Sequence, residues 1–283
     1  MNSRFPILGL IERHGLSIFV ILLAGTSLQC EKVCDIINPP PTQFNFALHF
    51  DGENDFVRIP DLNGSLDLID FTIECWVQID KRGKIHELVV KDAEGEDSTV
   101  NSNYSMDVWS DEKLRIVFEN ENQDNQEIFG NTILVTGRLY HAAATFESRI
   151  NAFSLFLNGE RDAGPTLVIG RPNQQNQDLR IGTGYEGGPR TTTWGTIDDV
   201  RIWNRALSAQ EIKDHMNVRL SGREVGLVGN WTFDEGSGQI VSDRSRFQNH
   251  GTMGSNSNND VEPDDPVWVL STVDYDRSGR QDR

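Results

Sequence analysis

From Phe44 onward, apolar and polar residues alternate one to a face along most of the chain, which is the period of an extended strand. Phe46, Leu48 and Phe50 share one face, as do Phe71, Ile73, Cys75, Val77 and Ile79. The pattern returns at Leu114, Ile116 and Phe118, at Ala142, Ala144 and Phe146, and at Phe153, Leu155 and Leu157. Each stretch covers a core on one side only. Turn chemistry separates them. Asn158-Gly159 predicts a two-residue hairpin, because both of its positions need positive φ. Asp51-Gly52, Asn63-Gly64 and Gly187-Gly188-Pro189 punctuate other strand ends. One helix is predicted, over residues 209–216, with Ser208 as N-cap and Glu211 completing a capping box. No stretch alternates strand with helix, so a parallel α/β sheet is not expected. The pattern predicts many short antiparallel strands and one short helix.

The amino end follows other rules. Arg4 and Arg13 precede the run from Leu16 to Ala24, which closes on Gly25, Thr26 and Ser27. Crossing a bilayer takes roughly 20 apolar residues; this shorter run has the shape of a secretory signal, and residues 1–29 are set apart from the fold as such. Cys30, followed by Glu31-Lys32, resembles the lipid-accepting cysteine of a bacterial lipoprotein, with Gln29 where a small residue is usual. The alternative is ordinary cleavage and a Cys30–Cys34 disulfide. Residues 30–43 contain three consecutive prolines and read as a stiff extended spacer. The product is expected to be secreted or held on the outer surface of a bacterial envelope, meeting the membrane only through a lipid at Cys30. Cys75 lies in a strand pattern as a small buried hydrophobe, and three cysteines make neither a disulfide framework nor a metal cluster.

Charge narrows the partners. The 283 residues carry 43 acids against 26 bases, a net charge of −17 spread along the whole chain. A phosphate backbone would be repelled, so nucleic acid is not an expected partner. Phe (14) and Trp (6) with Gly (25) far above Pro (10) favour strands and turns over a helical bundle.

Four segments in order then carry a resemblance: Ala47–Pro60 (ALHFDGENDFVRIP), Phe71–Val77 (FTIECWV), Phe153–Gly159 (FSLFLNG) and Thr196–Ser208 (TIDDVRIWNRALS). They resemble successive signature segments of the laminin G-like, concanavalin A-like domain, and Gly226–Gly238 with Asp243–Gly251 fits as its closing strands. The resemblance implies an all-β, two-sheet antiparallel jelly-roll sandwich over residues 44–270, followed by a flexible tail at 271–283. It also implies a platform for carbohydrate or for a matrix or envelope glycoprotein, although a fold alone does not fix a ligand.

Two kinds of site follow. Asp51, Asn54 and Asp55 cluster after a strand, and Asp198 and Asp199 form a second acidic pair; hard oxygen ligands of this kind suit Ca²⁺, and many relatives use such positions for a rim calcium. The alternative is that Asp51 makes a turn and Asp198 ties down a neighbouring loop. The string Asp274-Tyr-Asp276-Arg-Ser278-Gly279 matches the first half of an EF-hand loop but stops before its bidentate acid, and reads as solvated tail. For a sugar, aromatic faces are needed. Trp76 is out of phase with the Phe71–Ile79 set, and Trp109, Tyr185 and Trp194 lie in polar or Gly-rich contexts, so these four are the candidate ligand-binding residues; Trp203 and Trp231 are expected to pack.

Catalytic machinery is not legible. The fold also hosts laminarinase-type hydrolases, yet their Glu-x-Asp-x-x-Glu or Glu-x-Asp-x-Glu string does not occur, and strand alternation is expected to send Asp198 and Asp199 to opposite faces. No nucleophile elbow or His-Glu-x-x-His motif occurs either. The six histidines are scattered, with His141 expected at a strand boundary. The expectation is a non-catalytic binding module, possessing calcium if the acidic residues converge; a structural or accessory envelope subunit is the alternative.

Overall fold

A computed structural model describes residues 45–92, 102–174, 177–184, 191–255 and 262–275. The segments read as a secretory signal and a spacer, with Cys30, lie outside the described residues.

Two eight-stranded antiparallel sheets face each other. The first runs through β10 (Glu160–Leu167), β9 (Ala152–Leu157), β8 (Leu139–Glu147), β3 (Phe71–Ile79), β12 (Trp194–Trp203), β1 (Phe46–Asp51) and β16 (Val267–Leu270), in that order. β13 (Leu227–Trp231) pairs the second half of β12, in line with β1, which pairs the first half. The second sheet runs through β14 (Ile240–Val241), β15 (Gly251–Met253), β2 (Val57–Ile59), β11 (Leu179–Ile181), β4 (His86–Asp92), β5 (Ser102–Val108), β6 (Lys113–Glu119) and β7 (Asn125–Ile133). The stretch expected to hold the closing strands, with its flanks, supplies β13 to one sheet and β14 and β15 to the other, and β16 of the first sheet follows it.

The period-two pattern explains this arrangement. Leu48, Phe50, Phe71, Ile73, Cys75, Val77, Leu114, Ile116, Phe118, Ala142, Phe146, Phe153 and Leu155 are buried in one continuous core between the sheets. Phe118, Phe146 and Phe153 meet at its centre with ring centroids 4.9–5.3 Å apart, a spacing at which tilted and edge-on pairs add to area burial. Burial pushes the Cys75 thiol well above its usual pKa, keeping it an inert hydrophobe. The hairpin between β9 and β10 turns on Asn158 (φ 51°) and Gly159 (φ 76°), as their sequence requires.

The outer face of the first sheet carries a second, smaller cluster. Phe156, Trp203, Leu207 and Leu227 pack there with Ile212, the buried residue of helix α1 (Ala209–His215). The helix starts as predicted: the Glu211 N–H donates to Ser208 Oγ at 3.2 Å and the Ser208 N–H donates to Glu211 Oε2 at 2.8 Å.

Three expectations are corrected. Residues 271–275 are docked rather than free: Val273 and Tyr275 are buried, and the Tyr275 hydroxyl donates to Asp199 at 2.8 Å. His141 is an interior residue of β8, buried beside Glu74 of the neighbouring strand. Asp198 and Asp199 do not point to opposite faces, because the pairing of β12 with β3 slips between Asp198 and Arg201 and Asp199 takes φ 48°. This bulge breaks alternation and turns both carboxylates to the outer side, where Ser271 bonds one and Tyr275 the other.

Candidate functional site

The acidic residues do not converge on a metal. Asp198 accepts from Ser271 Oγ. Asp199 is clamped by Arg201, whose Nε donates to Oδ1 at 3.0 Å and whose Nη2 bonds Oδ2. Asp51 is opposite Trp194, four residues along β12 from Asp198, or about 13 Å at strand rise. Its Oδ1 accepts the Glu53 N–H at 2.8 Å, an Asx turn, and its own N–H donates to Asp55 Oδ2 at 2.7 Å. Asn54 is exposed. Thus the turn-making and loop-tying roles account for Asp51 and Asp198, and among the described residues no group of three or more His, Cys, Asp or Glu is arranged to hold a metal. The five residues do not fit a calcium site. Asp55 is nevertheless unusual: burial pushes its pKa up to about 7, and the charges of Asp51, Asp265 and Asp264 add to the effect.

The predicted aromatics divide by what covers them. Trp76 does face away from the core, but that face is roofed: its Nε1 donates to the Met216 carbonyl just past α1 at 3.0 Å, and His141 meets its edge. Tyr185 lies outside the described residues. Trp109 sits in the β5–β6 turn, half-buried, with the Arg115 guanidinium 3.8 Å over its ring and Phe129 edge-on. Arg115 is itself held by Asp107 (2.8 Å) and Glu127 (3.0 Å), so this stack is closed on itself. Trp203 and Trp231 pack, as expected.

Trp194 is different. It begins β12 at the end of the sandwich where the chain crosses between sheets. Gly52 lies against its indole; a Cβ there would stand 2.8 Å from ring and Cβ atoms of Trp194, and Gly52 has φ 80°, so no side chain is accommodated. Cations also approach the ring, with Lys81 Nζ 4.3 Å and Lys84 Nζ 6.0 Å from its centroid. Both belong to the β3–β4 crossover Lys81-Arg82-Gly83-Lys84. The crossover is tied down at two points: the Gly83 N–H donates to Glu112 Oε1 at 2.8 Å, and Lys84 Nζ donates to the Gly52 carbonyl at 2.8 Å. Arg82 pairs with Glu112. Neither Lys81 nor Lys84 forms an ion pair among the described residues. Burial and then the Lys81 charge hold the Lys84 pKa below its usual value, with the charges of Glu53 and Asp51 opposing.

His86 positions this rim from beneath. It is buried, its Nδ1 accepts the Trp194 N–H at 3.1 Å, and its Nε2 lies 2.8 Å from the Lys81 carbonyl. Those partners assign the neutral tautomer with the proton on Nε2. Burial lowers its pKa to about 4, with the Lys81 carbonyl contact opposing. One neutral ring therefore fixes both the tryptophan and the lysine above it. Sequence reasoning found Trp194 and missed Lys81, Lys84 and His86. The signal was available in part: three cations within four residues are conspicuous in a chain of net charge −17.

The chain belongs to the concanavalin A-like lectin/glucanases superfamily, whose Laminin_G_3 family model matches residues 51–213. The sequence matches none of the curated proteins. Among solved structures it is similar to a Bacteroides ovatus protein to which carbohydrate binding is provisionally ascribed, at 19% identity and a TM-score of 0.58, over 80% of this chain and 62% of that one. The chain thus spans less than two thirds of that relative's length. Similarity extends to the CBM40 of Ruminococcus gnavus IT-sialidase bound to α2,3-sialyllactose (11% identity, 59% and 95% of the chains, TM-score 0.47) and to a heptameric SAP-like pentraxin of Limulus polyphemus (14% identity, 60% and 80%, TM-score 0.46). At these identities the likeness is one of fold.

Proposed function

We propose that this protein is a non-catalytic carbohydrate-binding module, acting outside the cytoplasm, that engages an anionic glycan at the rim built on Trp194. The observation that carries this reading is the half-buried indole packed against Gly52, with two ammonium groups beside it that form no ion pair among the described residues. A carboxylate or sulfate meets Lys81 and Lys84 while the sugar packs against the exposed part of the half-buried indole. The family supports carbohydrate as the ligand class, and the Bacteroides ovatus protein is a fold-level analogy in the same direction. The clamp of Arg201 on Asp199, with both Asp198 and Asp199 buried, supports the absence of catalysis, since that acidic pair cannot reach a substrate.

Binding of sulfated and carboxylated oligosaccharides, measured by calorimetry beside their neutral counterparts, tests the proposal. The charged forms are expected to bind at least tenfold tighter, to weaken with added salt, and to survive chelator. Equal affinity for charged and neutral forms removes the anion from the reading; turnover of β-glucans or sulfated galactans by the pure protein removes the non-catalytic role. Mass spectrometry of the mature amino end distinguishes a lipid on Cys30 from simple secretion.

A further inference from the structure

We propose a second carbohydrate site, for a neutral mono- or disaccharide, in the cleft at the opposite end of the sandwich. The cleft has a volume of about 380 Å³ and is formed by the β2–β3 connection with Gln174, Asn204, Val228 and Phe247. Asp70 directly precedes β3 and Asn204 directly follows β12, whereas Trp194 starts β12 and pairs beyond the far end of β3. The nine residues of β3 span about 30 Å at strand rise, so the cleft and the rim cannot share one small ligand.

Its chemistry is that of a polyol receptor. Asp67 is anchored from below by Lys91, whose ammonium lies 3.0 Å from Asp67 Oδ1 and 3.0 Å from Asp61 Oδ2 and is completely buried. That pairing fixes the carboxylate and leaves Asp67 Oδ2 without a hydrogen bond among the described residues. Gln174 spends its Nε2 on the Asp67 carbonyl at 3.2 Å, leaving its Oε1. The side-chain amide of Asn204 is exposed and makes no hydrogen bond among the described residues. Asp70 is a wall rather than a receptor, since Ser148 donates to both of its oxygens, at 2.6 and 3.0 Å. The unused groups are thus two acceptors and one amide that both donates and accepts, a set matched to adjacent hydroxyls. Val228 and the half-exposed Phe247 supply the apolar side, and Arg246 lies 5.1 Å from the Phe247 ring.

Size and charge fix the class. Clefts that hold small molecules run from roughly 300 to 1,000 Å³, and this one is at the small end, which admits one or two pyranose rings. The lining carboxylates repel an anion, and the Lys91 ammonium beneath them is already shared by Asp61 and Asp67. The cleft therefore complements the rim: hydroxyls at one end, negative charge at the other. A protein with both would bridge a branched or mixed glycan at two points, gaining avidity that neither site has alone.

The experiment titrates the full chain with D-glucose, D-galactose, D-mannose, N-acetyl-D-glucosamine and their β-linked disaccharides, followed by protein-observed NMR. At least one is expected to saturate, with shifts confined to Asp67, Asn204 and Phe247. Asn204→Ala and Phe247→Ala should each weaken it at least tenfold, while Trp194→Ala leaves it unchanged. Asn204 is exposed and its side chain makes no hydrogen bond among the described residues, so its variant keeps the fold, and a thermal melt matching wild type confirms that. No saturable shift with any of these sugars, or a sugar whose binding falls with Trp194→Ala and not with Asn204→Ala, overturns the proposal. Because anionic glycan binding at the rim is read separately, failure here and failure there are distinguishable.

Discussion

The outer face of the first sheet and the Trp194 rim use the same residue types to opposite ends. Beneath α1, Arg201, Asp199, Glu74, His141 and Trp203 are all buried, and nearly every charge has its partner inside the chain. Arg201 alone bonds Asp199, the His215 carbonyl at 2.9 Å and the Val218 carbonyl at 2.8 Å, and lies 3.6 Å from Glu74. Trp203 Nε1 donates to Glu74 at 3.1 Å. At the rim, tryptophan, histidine and lysine meet again, but among the described residues Lys81 and Lys84 end without an ion pair. The difference teaches that residue identity does not separate architecture from function here; what separates them is whether the cations meet an opposite charge within the chain.

The largest effect should come from opening the closed cluster. Arg201→Ala leaves Asp199 and Glu74 buried without their cation, and removing one partner of a buried pair costs about 3–5 kcal/mol. Burial already raises the Glu74 pKa, with the Arg201 charge opposing, so this variant should also take up a proton there. Urea unfolding measures the loss, and a value under about 1 kcal/mol would show that α1 is held by Ile212 and Trp203 packing alone. The rim should respond in the opposite way. The Lys81→Ala, Lys84→Ala double variant is expected to lose anionic-glycan binding at least tenfold, about 1.4 kcal/mol, while stability changes by no more than about 0.5 kcal/mol per site, as is usual for surface substitutions. A parallel loss of stability would place these lysines with Arg201 on the architectural side.

Much of the fold was legible because it rests on period and turn chemistry. Phe71 through Ile79 reads as a strand with one face in the core, Asn158-Gly159 as a hairpin and Ser208 with Glu211 as a helix start, and each is so in the structure, although the other face of this strand, expected to be uncovered, also buries Thr72 and Glu74. The sites were less legible, for physical reasons. Alternation gave the correct face for Trp76 and could not say that α1 and Met216 would roof it. The Asp199 bulge depends on a single left-handed residue, which no side-chain pattern marks. The acidic string at Asp51–Asp55 looks the same whether its oxygens face an ion or its own backbone amides. The far cleft draws on residues from Asp67 to Phe247, 180 positions apart in the sequence, and nothing local in any of them points to the others.

Acid should act on both regions through buried neutral histidines. Burial lowers His86 to about 4 and His141 to about 3, the latter aided by the Arg201 charge. Each takes up its proton near 6.5 when unfolded. The folded state therefore binds fewer protons in this window, and stability falls as pH drops from about 6.5 toward 4. Protonating His86 also removes the acceptor for the Trp194 N–H, so rim binding should fail over the same range while the far cleft does not depend on it. Melting temperatures from pH 7 to pH 4 for wild type and His86→Gln check this; an unchanged slope in the variant would leave His86 without the assigned role.

Asp55 should act against the histidines, because its slope has the opposite sign. Its folded pKa of about 7 lies above the ordinary value of 3.8, so between those values the folded state binds more protons than the unfolded one. Its contribution is thus most favourable below about pH 4 and is progressively lost as pH rises toward 7. In wild type the two slopes partly cancel between pH 4 and 6.5, leaving a shallow profile. Asp55→Asn keeps an oxygen to accept the Asp51 N–H and removes the ionisation. The variant should be more stable than wild type at pH 8 and should show a steeper loss toward acid, since the histidines then act unopposed. If its profile instead runs parallel to wild type, Asp55 ionises freely, and the acidic residues around it are a solvated turn rather than a buried part of the rim.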